Sequence, residues 1–181
     1  MEKELEVKVL GIDIEDIEKK IISLGGKLIA NEVQVNTLID SKDRPIKSYL
    51  DAYLRIRQTK DILNNKDYIY LTLKKNINLE GIRENLELTT EISNKDMMIQ
   101  ILKDLGFDYN EVGHKKRKSY EFMDARIDLD TWDENTYPFP YMEIEVRDIK
   151  HLNEVIKYLE IPQENISTKS IVELRKELKL L

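Results

Sequence analysis

The stretch ELEVKVL, Glu4–Leu10, decides how the rest of the chain is read. Successive side chains of a strand point to opposite faces, so Leu5, Val7 and Val9 share one side and Glu4, Glu6 and Lys8 share the other. One face is apolar and the other fully charged. The same alternation returns in VQVNTLI from Val33, YLRIRQ from Tyr53, YIYLTLKK from Tyr68, NLELTTEI from Asn85, KRKSYEFM from Lys116, ARIDLD from Ala125 and YMEIEV from Tyr141. Parity places Arg55 with Arg57, Thr72 with Lys74, Arg83 with Glu87, Lys115 with Arg117, Asp128 with Asp130, and Glu143 with Glu145.

These polar rows could face water, as half the positions of an open antiparallel sheet do. Two features oppose that. The rows group like with like (ELE, RIR, DLD, EIE), whereas a solvated face intersperses signs because neighbouring like charges repel. Four amphipathic helices are also predicted: Asp13 to Leu24 with Ile14, Ile17, Ile21 and Leu24 on one stripe; a helix after Ser93, with Ser93 and Asp96 as an approximate capping box and Ile101, Leu102 and Leu105 buried; and two near His151–Leu159 and Thr168–Leu178. Helices packed outside a curved sheet would cover its apolar side and leave the charged side concave. The expected fold is α+β: a closed or nearly closed antiparallel β-barrel of about eight strands, forming a tunnel, with helices outside.

With 181 residues, 41% of them hydrophobic, and no linker-like or low-complexity stretch, residues 1–181 read as one domain. Cysteine is absent, no leader-like segment opens the chain, and no apolar run nears the roughly 20 residues that span a bilayer, so a cytoplasmic protein without membrane association is expected. A net charge of -6 argues against nucleic acid as a partner, as does the scarcity of aromatic residues among the basic positions.

Arg and Lys clustered inside a barrel are tolerable only when carboxylates or a bound polyanion neutralise them, since an unpaired buried charge costs several kcal/mol. A small-molecule triphosphate is the natural guest: the guanidinium fork matches phosphate oxygens and Lys adds a compact charge. Carboxylates at i and i+2 on a strand offer oxygen ligands for Mg2+ or Mn2+, hard cations that bridge protein carboxylates and phosphates.

The ELEVK segment resembles the N-terminal E-x-E-x-K signature of CYTH domains, the triphosphate tunnel metalloenzymes. LRIR at Leu54–Arg57, LTLK at Leu71–Lys74, the Arg83–Glu87 segment, KKR at Lys115–Arg117, Leu129-Asp130, MEIE at Met142–Glu145 and the closing STKSIVEL follow in that family's order, so the resemblance covers nearly the whole chain. It implies that Lys8, Arg55, Arg57, Lys74, Arg83, Lys115 and Arg117 bind the triphosphate. It also implies that Glu4, Glu6, Asp130, Glu143 and Glu145 hold one or two metal ions, with Glu4, Glu6 and Lys8 closest to the reaction. Glu87, Asp128, Asp40 and Lys169 are second-rank candidates. The chain departs from the family in three places: Asn36 and Leu38 stand where an acidic and an aromatic residue are common, Ile171 replaces a tyrosine, and TWDENTYPFPY replaces a short Gly-containing turn.

The resemblance implies one of two reactions: metal-dependent hydrolysis of an inorganic or organic triphosphate, or the class IV adenylyl cyclase conversion of ATP to cyclic AMP and pyrophosphate. Hydrolysis is the expectation here because no adenine site is recognisable. A polyphosphate-binding module without turnover is the reading from another class, and a homodimer stays open. His114 and His151 read as surface or loop histidines, and Trp132 as core.

Overall fold

The computed structural model describes residues 2–79 and 82–180, with side chains described for residues 5–75 and 86–180. Among the described residues nine strands and five α-helices follow one another as β1 (Glu2–Val9), α1 (Ile14–Ser23), β2 (Lys27–Asp40), α2 (Lys47–Leu50), β3 (Ala52–Asp61), β4 (Lys66–Leu79), β5 (Ile82–Glu91), α3 (Lys95–Asp104), β6 (Tyr109–Phe122), β7 (Ala125–Trp132), β8 (Tyr141–Val146), α4 (Ile149–Tyr158), β9 (Ile166–Ser167) and α5 (Ile171–Glu177). The strands form one antiparallel sheet in the order β5-β4-β3-β2-β6-β7-β8-β1-β9. β1 also pairs with β5, Glu2 opposite Glu87 and Leu5 opposite Glu84. The short β9 and the four-residue α2 were not anticipated from the sequence. No helix among the described residues is long and apolar enough to cross a membrane.

The predicted parity of β1 holds. Val7 and Val9 are buried in the main core with Ile21 of α1, Ile127 and Leu129 of β7, Met142 and Ile144 of β8, and Val155 and Leu159 of α4. The apolar faces of neighbouring strands are thus roofed by α1 and α4, and the opposite faces carry the charge. Burying each such aliphatic side chain stabilises the fold by roughly 1.5–3 kcal/mol.

Capping residues fix the helix ends. Asp13 accepts from the backbone N–H groups of Glu15 and Asp16 at α1, and Gly25 takes a left-handed conformation at φ +93° just past its end. Leu24, expected on the buried stripe, is instead the half-exposed C-cap. At α3 the cap is Asn94, whose side chain accepts from Met97 N–H, and not Ser93. The expected burial of α3 holds only for Leu102: Ile101 and Leu105 are 46% and 70% exposed. The helix turns Met98 and Ile99 partly inward with Leu102, so its second apolar stripe faces water. The reciprocal capping box occurs at α5, between Ser170 and Glu173.

Candidate functional site

A cavity of about 540 Å³ lies on the charged side of the sheet. Its wall divides by sign. β4, β3 and β6 contribute Lys74, Arg55, Arg57, Lys115 and Arg117, while β7, β8, β1 and β5 contribute Asp128, Glu143, Glu145, Glu6 and Glu87. Lys8 of β1 and Arg126 of β7 are basic members of the acidic side. The strand registers make these neighbours: Glu6 stands opposite Glu145 and Lys8 opposite Glu143 across β1 and β8, Asp128 opposite Glu143 across β7 and β8, and Lys74 opposite Glu87 across β4 and β5.

Arg117 is the hub where the two signs meet. Its guanidinium donates to Asp130 from Nε at 2.6 Å and from Nη2 at 2.5 Å, reaches Glu143 at 2.6 Å, and contacts Asp128. Burial opposes its charge, but the attraction of Asp128 and Asp130 outweighs it and raises the pKa well above the ordinary arginine value. Asp130, with no exposed surface, also accepts from Lys115 at 2.9 Å. Burial would raise its pKa, and Arg117 and Lys115 pull it below the usual carboxylate value. Glu143 behaves alike: burial is overcome by Lys8, 2.9 Å away, and by Arg117. Lys8 in turn keeps its proton because Glu143 and Glu6 outweigh the cost of its burial.

The cationic side is less well compensated. Arg57 forms no ion pair among the described residues, and its Nε donates to the side-chain oxygen of Asn36 at 3.2 Å. Burial, then repulsion from Arg55 and Arg117, lowers its pKa to about 10. Lys115 drops further, to about 7, for burial and the proximity of Arg117 outweigh Asp130. Lys74 reaches Glu87 at 2.8 Å and Glu6 at 3.4 Å.

Of the residues singled out in the sequence, Glu6, Lys8, Arg55, Arg57, Lys74, Glu87, Lys115, Arg117, Asp128, Glu143 and Glu145 line this one cavity, and Asp130 lies behind Lys115 and Arg117. Asp40 sits on the rim, where its Oδ1 accepts from the backbone of Ser41 and Ile46. Lys169 is exposed and pairs with Glu177 at 2.5 Å, away from the cavity. The side chains of Glu4 and Arg83 lie outside the described residues. Among those described, no three carboxylate or imidazole groups stand close enough to share a metal ion.

The sequence reading missed Arg126, Glu111 and Arg175, which also line the cavity. Arg175 of α5 is buried and paired with Glu111 of β6. On a short amphipathic helix a basic residue reads as solvent-facing, although its neighbour Leu174 marks the inward side. Trp132 is a wall residue, its Nε1 donating to the Tyr141 hydroxyl at 2.8 Å. The TWDENTYPFPY segment is both packing and rim: Tyr137 and Tyr141 pack on Leu174, while Thr136 and Tyr141 face the cavity.

Comparison with known proteins agrees with this architecture. A curated protein of Methanocaldococcus jannaschii, named as a candidate adenylate cyclase, is 28% identical over 180 residues, covering 95% of this chain and 98% of that one. The PH1012 protein of Pyrococcus horikoshii superposes with a TM-score of 0.76 at 26% identity, over 94% of this chain and 98% of that one. HpAC1 from Hippeastrum, described as a candidate adenylyl cyclase with a dominant triphosphatase activity, shares the fold at a TM-score of 0.69 and 18% identity, over 100% and 98% of the two chains. The CYTH domain model matches residues 2–173. With sheet, cavity and charged wall in the order that ELEVK announced, the chain belongs to the CYTH domain family.

Proposed function

We propose that this chain is a divalent-metal-dependent triphosphatase that hydrolyses inorganic or small organic triphosphates. The observation that carries the reading is Arg57, a recessed guanidinium facing the cavity without a carboxylate partner among the described residues. A cation left uncompensated beside Arg55, Lys115 and Arg117 is destabilising unless a polyanion arrives. A chain of three phosphoryl groups supplies that anion and accepts bidentate bonds from guanidinium forks. The wall supports full closure of the barrel around such a ligand, since β1 pairs with both β8 and β5.

The carboxylate side fits a hard cation, for its ligating atoms are oxygens only. Glu6 and Glu145, directly opposed across β1 and β8, would hold it together with substrate oxygens. Asp130 fits less well, because both its oxygens already accept from Lys115 and Arg117; we assign it to anchoring those two cations. Bound Mg2+ or Mn2+ supplies neutralisation of the charge on transferred and leaving oxygens. In hydrolysis a water oxygen attacks the terminal phosphorus, the bridging P–O bond breaks, and the remaining diphosphate leaves. Glu6 is placed to orient that water, Lys8 stays protonated to meet phosphoryl oxygens, and Arg57, Lys74 and Lys115 hold the substrate in line. A cytoplasmic small-molecule enzyme is the setting this reading implies.

Purified protein with Mg2+ or Mn2+ should release phosphate from tripolyphosphate or ATP, and absence of release from either would sink the proposal. A second reading, conversion of ATP to cyclic AMP and pyrophosphate, is favoured by the name of the Methanocaldococcus relative and by the aromatic wall of Tyr53, Tyr109 and Trp132. Appearance of cyclic AMP with pyrophosphate decides for it.

A further inference from the structure

β2 crosses the middle of the cationic wall, between β3 and β6, yet the inward positions it gives the cavity there are the uncharged Asn36 and Leu38. Asn36 is 2% exposed. It stands opposite Arg57 on β3 and Gly113 on β6. Arg57 can only donate, so the oxygen of the Asn36 amide must face it, as the 3.2 Å contact from Nε records. That choice fixes the amide: Nδ2 points the other way, and this buried donor has no partner among the described residues. On the adjacent strand Arg55 Nε is a second buried donor without a partner among the described residues. On the far flank Gly113 lies against Thr136 and Trp132, which a Cβ there would meet at 2.7 and 3.1 Å.

Buried polar atoms in folded proteins are nearly always satisfied, and two unmatched donors on one cavity wall call for a ligand that accepts. A phosphoryl group, with acceptor oxygens on every side, meets that requirement. Building on the triphosphate reading above, we infer that Asn36 binds a phosphoryl group of the substrate through Nδ2 while its oxygen orients Arg57 toward the same group. An aspartate here would also align Arg57, but it would cancel the guanidinium charge and present a second acceptor to an anion. The uncharged amide keeps both the alignment and the positive potential.

The test is steady-state hydrolysis of tripolyphosphate, with Mg2+ or Mn2+, by the native chain and by the variants Asn36→Asp and Asn36→Ser. A hydrogen bond to a charged group lost on the variant corresponds to about a tenfold to hundredfold loss of binding. Asn36→Asp is therefore expected to raise KM for tripolyphosphate by about tenfold or more with a much smaller change in kcat, and Asn36→Ser to fall between it and the native chain. Circular dichroism establishes that each variant is folded; should the aspartate fail to fold, the serine variant decides. Folded variants with KM within twofold of native, or with a loss confined to kcat, overturn the inference while the triphosphatase reading stands. A native chain that turns over no triphosphate removes that reading and this inference with it.

Discussion

Lys115 and Asp130 form a 2.9 Å ion pair, side chains 3% and 0% exposed, and even so the lysine pKa falls to about 7. Burial is the main cause and repulsion from Arg117 the next, so one aspartate shared between two cations does not hold both fully charged. An arriving polyanion would restore the lysine charge. Triphosphate binding at pH 8 is therefore expected to take up a proton, seen as a dependence of calorimetric binding heat on the ionisation enthalpy of the buffer. Lys115→Met should abolish the uptake. The stability sign follows from the same shift. Between about pH 7 and the ordinary 10.5, the unfolded chain carries the extra proton, so this group's contribution makes the ligand-free protein more stable as pH rises through that window. Below pH 7 its full destabilising effect is present.

Removing Arg57 should separate activity from stability. Arg57→Ala deletes a recessed cation with no ion pair among the described residues, so the melting temperature is expected to be no lower than native. Turnover of tripolyphosphate should fall by about 100-fold or more, the usual scale for losing one group aimed at transition-state charge. Glu6→Gln should show a comparable loss of phosphate release. Native-like turnover in both variants would refute the site.

Asp130→Asn is expected to act oppositely, as a stability variant first. It leaves Lys115 and Arg117 without the carboxylate that both contact. Breaking a buried pair from one side costs about 3–5 kcal/mol, measurable as a lowered midpoint in urea. Lys169→Ala, removing an exposed ion pair to Glu177, should change that midpoint little, since such pairs contribute at most about 1 kcal/mol.

Gly113→Ala tests the closeness of the loop after β7. A Cβ there would lie 2.7 Å from Thr136 Oγ1 and 3.1 Å from the Trp132 ring. Thr136 cannot swing away freely, because its backbone N–H and hydroxyl both bond to Asp133 at 2.9 Å. Overpacking of this kind costs about 1–3 kcal/mol, which thermal unfolding would report.

The parity of ELEVKVL carried most of the information about the site. Once Leu5, Val7 and Val9 were assigned to the core, Glu6 and Lys8 had to face the other way, and the same rule placed Arg57, Lys115, Asp128 and Glu143 without any knowledge of pairing. Periodicity was weaker for helices. Over Met97–Leu105 it offers two apolar stripes one residue out of phase, and only tertiary contact selects Met98, Ile99 and Leu102. His151, expected at the surface, is 3% exposed with Nε2 at 2.6 Å from the Met123 carbonyl; its i, i+4, i+8 spacing with Val155 and Leu159 was the available signal. Asn36 stood out in the sequence only as a departure from the family's pattern, because an uncharged residue in a row of charges shows no role until its amide is seen against Arg57.

β1 is made more than 130 residues before β8 and β9, two of the strands it pairs with. Pairings of such long sequence separation require closing large loops before any contact rewards it, which slows folding. Glu6 and Lys8 thus stay solvated in the nascent chain until β8 has been made, and the ion pair of Lys8 with Glu143 closes only after that.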